Sequence, residues 1–555
     1  MLKKLLPGLL LAQLLVNNAY AQGFLKTSGT KIVNEKNENI LLRGMGLGGW
    51  MLQEGYMLRV NGEGQQYKVR ERLTTLAGAE KTQAFYDAWL ANHTRRTDVD
   101  SLKAWGFNSI RLPIHYNLYT LPIEQEPVAG QHTWLNKGFD MTDSLLAWCK
   151  ANEMYLILDL HAAPGGQGND LNISDRNPAH PSLWDSRAQQ EKTIALWRKL
   201  ADRYKNEPWI GAYDILNEPN WGFEDPADKN GLKEKKNAPL KALMQEITAA
   251  IREVDQRHII IIEGNGWGNN YNGILPPWDK NMVLSYHKYW NYNDQASIAH
   301  IIKTRDEYNV PVWLGETGEN SNVWFTECIR LLERNNIGWS WWPLKKLGNN
   351  NPLEIPMNKN YQQILDFWAG KGPQPSAEDA YQGMMQLAAD SRLENNILHR
   401  DVVDAMIRQP FQPNAIPYQP NIIKGKTIIA AVNYDLGPNG AAYYDKDTAN
   451  YRISNPQLQG GNRGRTYRND GVDIRKEGDT YMVTNFEAGE WLQYTLQIDQ
   501  KGKYTFTPSA AEGISVWVDG KPVAGAVQLS KGRHVLRVQA DAGDHTIKEI
   551  VVERK

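Results

Sequence analysis

Between about residue 30 and residue 345, eight short β-rich runs alternate with amphipathic stretches, and this alternation constrains the fold more than any other feature of the chain. The runs are NILLRGMGL, NSIRLPI, YLILDLH, GAYDILNE, HIIIIEG, MVLSYHKY, VPVWLGE and IGWSWWPL. Each reads as a continuous apolar segment, the pattern of a strand covered on both faces in a parallel sheet. Helical periodicity lies between them, as in EKTIALWRKLADRYK and PLKALMQEITAAIREVD. Eight strand–helix units over about 300 residues predict a (β/α)8 barrel. A doubly wound open sheet is the competing arrangement, because alternation alone does not close a barrel. Polar and aromatic residues stand at so many strand C-terminal ends that one common mouth is the better expectation.

The flanking segments read differently. MLKKLLPGLLLAQLLVNNAYAQG, with two lysines, a leucine-rich run and Ala19-Tyr20-Ala21, predicts a cleavable signal peptide over 1–21 and so a secreted or periplasmic protein. The apolar run is too short for a stable span. The barrel domain is expected over 22–409, its last part a helical extension (AEDAYQGMMQLAADSRLENN, HRDVVDAMIRQ). Pro410, Pro413, Pro417 and Pro420 then predict a stiff linker over 410–424. Residues 425–555 carry short alternating strands between Gly and Asp turns, the pattern of a small all-β sandwich (jelly-roll) domain.

Several function classes are excluded by composition. With 62 Lys+Arg against 63 Asp+Glu there is no basic field for nucleic acid. Cys149 and Cys328 lie in separate helical patterns and are expected as free, buried thiols; no Cys/His spacing suits zinc and no cofactor is expected. Gly44-x-Gly46-x-x-Gly49 matches a dinucleotide fingerprint literally, but no second strand ending in an acid follows it. Twenty tryptophans suggest either a large core or aromatic surfaces for sugar rings.

Two carboxylates end strand-like runs: Glu218 in GAYDILNEPNW and Glu316 in VPVWLGETGEN. In a barrel these ends, of strands four and seven, face each other across the mouth. Two carboxylates about 5–5.5 Å apart suit retaining glycoside cleavage, one attacking the anomeric carbon and one protonating the leaving oxygen. Their proximity raises one pKa, which separates the roles. Around them, Arg111 can hold a carboxylate ionised, and His161, Asn217, His287 and Tyr289 can bond sugar hydroxyls or the carboxylates. Trp339, Trp341 and Trp342 share the last strand, so at least one faces the mouth.

ILNEPNW, IRLPI, LDLH, HKY and LGETG, in this arrangement over residues 25–370, resemble glycoside hydrolase family 5, a (β/α)8 clan of retaining enzymes. The resemblance implies Glu218 as acid/base, Glu316 as nucleophile, and Arg111, His161, Asn217, His287, Tyr289 and Trp342 as substrate-binding residues. LRGMGLGGWMLQEGY and DLHAAPGGQGND are similar to the branch that holds exo-acting β-1,3-glucanases. A monomeric enzyme on a β-linked polysaccharide or oligosaccharide, most of all a β-glucan, is therefore expected. Hydrolysis of a non-glucan β-glycan such as mannan or arabinogalactan, or glycan binding without catalysis, are the alternatives. YRNDGVDI and FEAGEWLQYTLQIDQKGKYTF resemble family 6 carbohydrate-binding modules, which implies Tyr467 as a glycan-stacking residue. Val432 stands where that family has an acidic calcium ligand, so a structural calcium is not expected.

Overall fold

A computed structural model describes residues 23–447, 462–510 and 512–555; the expected signal peptide lies outside them. Eight parallel strands close into a barrel: β1 (Arg43–Gly46), β2 (Ser109–His115), β3 (Tyr155–Ala162), β4 (Ile210–Asp214), β5 (Ile259–Glu263), β6 (Met282–Lys288), β7 (Val312–Gly318) and β8 (Gly338–Trp342). Closure is by β8 pairing with β1, Trp339 opposite Arg43 and Trp341 opposite Met45. Every residue of β2 to β8 is buried, which is why these strands read as unbroken apolar runs. Closure of the sheet excludes the doubly wound alternative.

The connection from β1 to β2 is long and carries α1 (Gln66–Ala77), α2 (Ala79–Asn92) and α3 (Arg96–Trp105). The later connections carry α4 (Asn136–Ala151), α5 (Arg187–Tyr204), α6 (Ala238–Arg252), α7 (Ala299–Tyr308) and α8 (Asn322–Arg334). After the barrel come α9 (Lys359–Trp368), α10 (Ala377–Asp390) and α11 (Arg400–Ile407). Helices α1, α2, α9 and α10 bury a second core of their own around Leu73, Phe85, Trp89, Ile364 and Met384. That lobe braces the barrel mouth, because Tyr361 on α9 donates its hydroxyl to the Leu58 carbonyl of the β1–α1 loop at 2.9 Å. Cys149 and Cys328 are free and buried, and burial pushes the Cys328 thiol up to about 11.

The C-terminal region holds several sheets around one core that includes Ile423, Tyr494, Leu536 and Ile550. Trp491–Ile498, Gly532–Ala540 and Ile514–Val518 form the centre of one sheet; Lys426–Ala430, Glu549–Arg554 and Gly502–Pro508 lie together in another. The segment expected as linker ends in a strand of its own, since Asn421–Ile423 pairs in parallel with Leu496–Ile498. It is also packed: Arg330 on α8 donates to the carbonyls of Gln409 and Pro410.

Candidate active site

The ends of the barrel strands open into a cavity of about 1160 Å³. Glu218, Glu316, His161, His287, Tyr289 and Trp342 line it. Arg111 and Asn217 are fully buried beneath those residues and act on them from below.

Arg111 is the hub. From β2 it donates to Glu316 Oε2 (Nη1, 2.9 Å), to Asp214 Oδ2 (Nε, 3.0 Å), to Asn217 Oδ1 (Nη2, 2.7 Å) and to Glu263 Oε1 (Nη2, 3.1 Å), with Asp159 Oδ2 at 3.2 Å. Burial works against its charge, yet Asp159, Asp214, Glu263 and Glu316 together hold the guanidinium pKa well above the ordinary value. A second donor reaches Glu316 from the other side, the hydroxyl of Tyr289 on Oε1. Both oxygens of Glu316 are thus oriented by a donor each.

Glu218 is held differently. Its backbone has φ +42°, a left-handed conformation that costs a non-glycine residue of order 1 kcal/mol or more. The turn is fixed by its own N–H, which donates to Glu263 Oε2 at 2.7 Å. The carboxylate is thereby aimed at His287 on β6, with Oε1 2.6 Å from Nδ1. His287 Nε2 lies 3.1 Å from Glu263. Burial first, then Glu316 and Glu263, raise the Glu218 pKa, while His287 opposes. Burial opposes charge on His287, but Glu263 and Glu218 push it well above an ordinary histidine. Glu218, His287 and Glu316 each bring a donor or acceptor atom within 4.8 Å of the others. Such a trio is close enough for a cation, but the imidazole bond to Glu218 and the Arg111 and Tyr289 bonds to Glu316 already occupy those atoms.

The rest of the floor is aromatic. Trp342 stacks on His161 with centroids 5.0 Å apart and planes 9° apart, and donates from Nε1 to the Tyr56 hydroxyl at 2.9 Å. His161 is oriented by Asp159 at 2.8 Å and by Asn217 at 3.3 Å. Trp339 and Trp341 turn into the core, where Trp341 packs edge-on against Phe325; of the three tryptophans on β8 only Trp342 reaches the cavity.

The sequence reading did not single out Glu263, Asp159 or Asp214. Glu263 ends HIIIIEG in the same way that Glu218 and Glu316 end their runs, and that signal was sufficient to find it. Glu54, Tyr56, Asp170, Trp267 and Glu319 also line the cavity, from loops whose course no periodicity announces. Burial, then Glu316, raises the Glu54 pKa well above an ordinary carboxylate.

In the C-terminal region Tyr467 is half-buried, its ring 4.7 Å from Tyr481 and 6.1 Å from Tyr418, its hydroxyl on Asn433. Val432 is buried in the apolar core, and its side chain has no oxygen with which to replace a carboxylate.

A closed (β/α)8 barrel with two glutamates meeting across its C-terminal mouth defines the class: a glycosidase. The chain belongs to the cellulase family, glycosyl hydrolase family 5, whose model matches residues 63–348. Among relatives, a β-xylosidase of Phanerodontia chrysosporium is 27% identical over 385 residues, 63% of this chain and 76% of that protein. Endoglucanase C of Acetivibrio thermocellus is 28% identical over 214 residues, 38% of this chain and 55% of that protein, so the match spans little more than half its length. A probable glucan 1,3-β-glucosidase A of Aspergillus niger is 28% identical over 313 residues, 54% of this chain and 68% of that protein. A crystal structure of an endogalactoceramidase aligns with 96% of this chain and 100% of its own at a TM-score of 0.43 and 15% identity.

Proposed function

We propose that this chain is an exported, retaining β-glycosidase acting on a β-linked glucan, with Glu316 as nucleophile and Glu218 as acid/base. The observation that carries the proposal is the carboxylate pair itself, with oxygens within 4.8 Å, Glu218 raised by burial and Glu316 bonded through both oxygens by Arg111 and Tyr289. Arg111 and Tyr289 each donate to one oxygen of Glu316 and orient the carboxylate for attack at the anomeric carbon. Glu218, its pKa raised, protonates the departing oxygen, and the resulting carboxylate then takes a proton from the water that cleaves the glycosyl-enzyme ester. Trp342 supplies an apolar platform beneath the sugar, and His161 a polar edge beside it. The C-terminal region is read as a glycan-binding domain of the family 6 type, with Tyr467 in its aromatic cluster.

The test is turnover of activated aryl β-glycosides by the wild type and by Glu316→Gln. Loss of turnover, with a mechanism-based glycosyl label landing on Glu316 in the wild type, is the expected result; undiminished turnover in the variant refutes it. A second reading, action on a β-xylan, is favoured by the β-xylosidase relative. A panel of β-1,3-, β-1,4- and β-1,6-glucans, xylan, mannan and arabinogalactan, with product analysis, separates the sugars and exo from endo cleavage.

A further inference from the structure

One cavity-lining residue does not belong to the barrel: Arg465, from the C-terminal region. It sits on a loop of residues 462–470 that is fixed to the barrel by buried polar bonds. Asn469 is fully buried, and its N–H donates to Asp401 on α11 at 2.7 Å. Its side-chain amide donates to the Asn320 carbonyl at 2.8 Å and to Asn322 Oδ1 at 3.1 Å, and its own carbonyl accepts the Asn322 N–H at 2.8 Å. Asn349, in the loop after β8, donates to the Arg468 carbonyl at 3.1 Å. Buried polar groups satisfied across an interface are costly to expose singly, so this contact holds the loop in place.

The loop is stiff from within as well. Asn462 donates to the carbonyls of Thr466 and Arg468 at 3.2 and 2.6 Å. Arg468 lies over the Tyr434 ring at 3.7 Å and pairs with Asp470 at 2.8 Å. Arg465 itself has φ +48°, a turn that a flexible loop would relax.

The loop enters the mouth on one particular side. Its anchors, Asn320, Asn322 and Asn349, follow β7 and β8, the strands of Glu316 and Trp342. The proposed acid, Glu218, follows β4, and Asp170, Trp267 and Asn269 line the cavity from the loops after β3 and β5, on the arc of the barrel opposite β7 and β8. A leaving group departs toward the acid, so the sugars that stay on the enzyme through the covalent step extend the other way, toward Lys346, Asn349 and Arg465.

We propose that the C-terminal domain is part of the substrate site, with Arg465 donating to the hydroxyls of the sugar on the non-reducing side of the reacting ring. The inference rests on the glycosidase reading of the same cavity. A guanidinium presents a planar fork of donors, suited to two neighbouring hydroxyls of one sugar. The domain then sets which glycans fit, and it does so from a fixed position instead of gathering substrate at the end of a tether.

The experiment compares kcat/KM for an aryl β-monoglycoside with that for the aryl bioside carrying one further sugar at its non-reducing end, in glucose and xylose series, using the full chain. Arg465→Ala lowers the bioside-to-monoside ratio about ten- to a hundredfold, as expected for loss of a charged hydrogen-bond donor. Arg465→Lys lowers it less. Arg475→Ala, an exposed arginine of the same domain that does not line the cavity, keeps the wild-type ratio and reports on general disturbance. A ratio within twofold of wild type in Arg465→Ala overturns the inference while leaving the glycosidase reading intact. Absence of wild-type turnover in both series overturns the glycosidase reading and this inference with it.

Discussion

Arg111 Nη1 lies 2.9 Å from Glu316 Oε2, and through that contact the proposed nucleophile shares one buried cation with three other carboxylates, Asp159, Asp214 and Glu263. All five side chains are buried, so their mutual compensation replaces hydration. The same cation therefore has two duties, orienting Glu316 and making the barrel floor foldable.

Arg111→Met removes the cation and keeps the volume. A broken buried ion network costs about 3–5 kcal/mol, so a large drop in stability is expected. Its pH dependence follows from the sign of the shifts. Burial and Glu263 raise the Asp214 pKa against the pull of Arg111, whereas at Glu263 burial is outweighed by His287 and Arg111, which hold it down at about 2, so loss of the guanidinium moves both values up. Asp214 then costs the fold more as pH rises above its unfolded pKa, and Glu263 loses part of the stability it contributes above its own unfolded pKa. Urea unfolding of wild type and variant across pH 4–8 is expected to show a deficit that widens toward neutral pH; an equal deficit throughout would count against the network account.

Glu218 titrates above an ordinary carboxyl because of its burial, with Glu316 and Glu263 adding and His287 opposing. An acid catalyst must start protonated, so the alkaline limb of kcat/KM lies above the usual carboxylate range. His287→Phe removes the opposing group, and the alkaline limb is expected to move to higher pH as overall activity falls. A limb that moves to lower pH would show that His287, not Glu218, supplies the titrating proton.

Glu218→Ala separates acid assistance from nucleophilic attack. General acid catalysis contributes about 10²–10⁴-fold, and its worth depends on how poor the leaving group is. Glycosides with alkyl or sugar leaving groups are expected to lose that factor, and dinitrophenyl glycosides to lose little in the glycosylation step. Burst kinetics with the dinitrophenyl substrate check this, since the second step, which needs the base, slows in the variant. Equal losses for all leaving groups would contradict the assignment.

Much of this geometry was legible in the chain. The barrel showed because strands buried on both faces cannot alternate, and Glu218 and Glu316 showed because a charge ending an apolar strand has no core reason to be there. Glu263 obeyed the same rule and completes the floor. Glu54 and Arg465 were beyond reach for a different reason. Their positions depend on how loops fold back over the mouth, and in the case of Arg465 on one domain docking on another through Asn469 and Asp401. Hydrophobic periodicity carries no information about either. The three tryptophans of β8 illustrate the boundary: alternation predicted that one faces the mouth, and only packing against Phe325 and His161 decides that it is Trp342.

The glycines of RGMGLGGW, rejected above as a nucleotide motif, have a structural reason that is itself testable. A Cβ on Gly46 would stand 2.7 Å from Trp342 Cε3, and one on Gly48 would stand 2.7 Å from Trp342 Cη2. The indole therefore lies against bare backbone, and that close approach lets it sit over His161, where it forms the proposed sugar platform. Gly46→Ala forces the ring off this seat, because the backbone beneath β1 is locked in the barrel and the Trp341 carbonyl is also only 3.2 Å from the new methyl. Overpacking of this kind costs about 1–3 kcal/mol, too little to unfold a domain of this size but enough to displace the platform. The expected outcome is a folded protein with a modestly lower melting temperature and a fall of tenfold or more in kcat/KM, with Trp342→Ala giving a loss of the same order. Full activity in Gly46→Ala would mean that the stacked position of Trp342 is not the one used in catalysis.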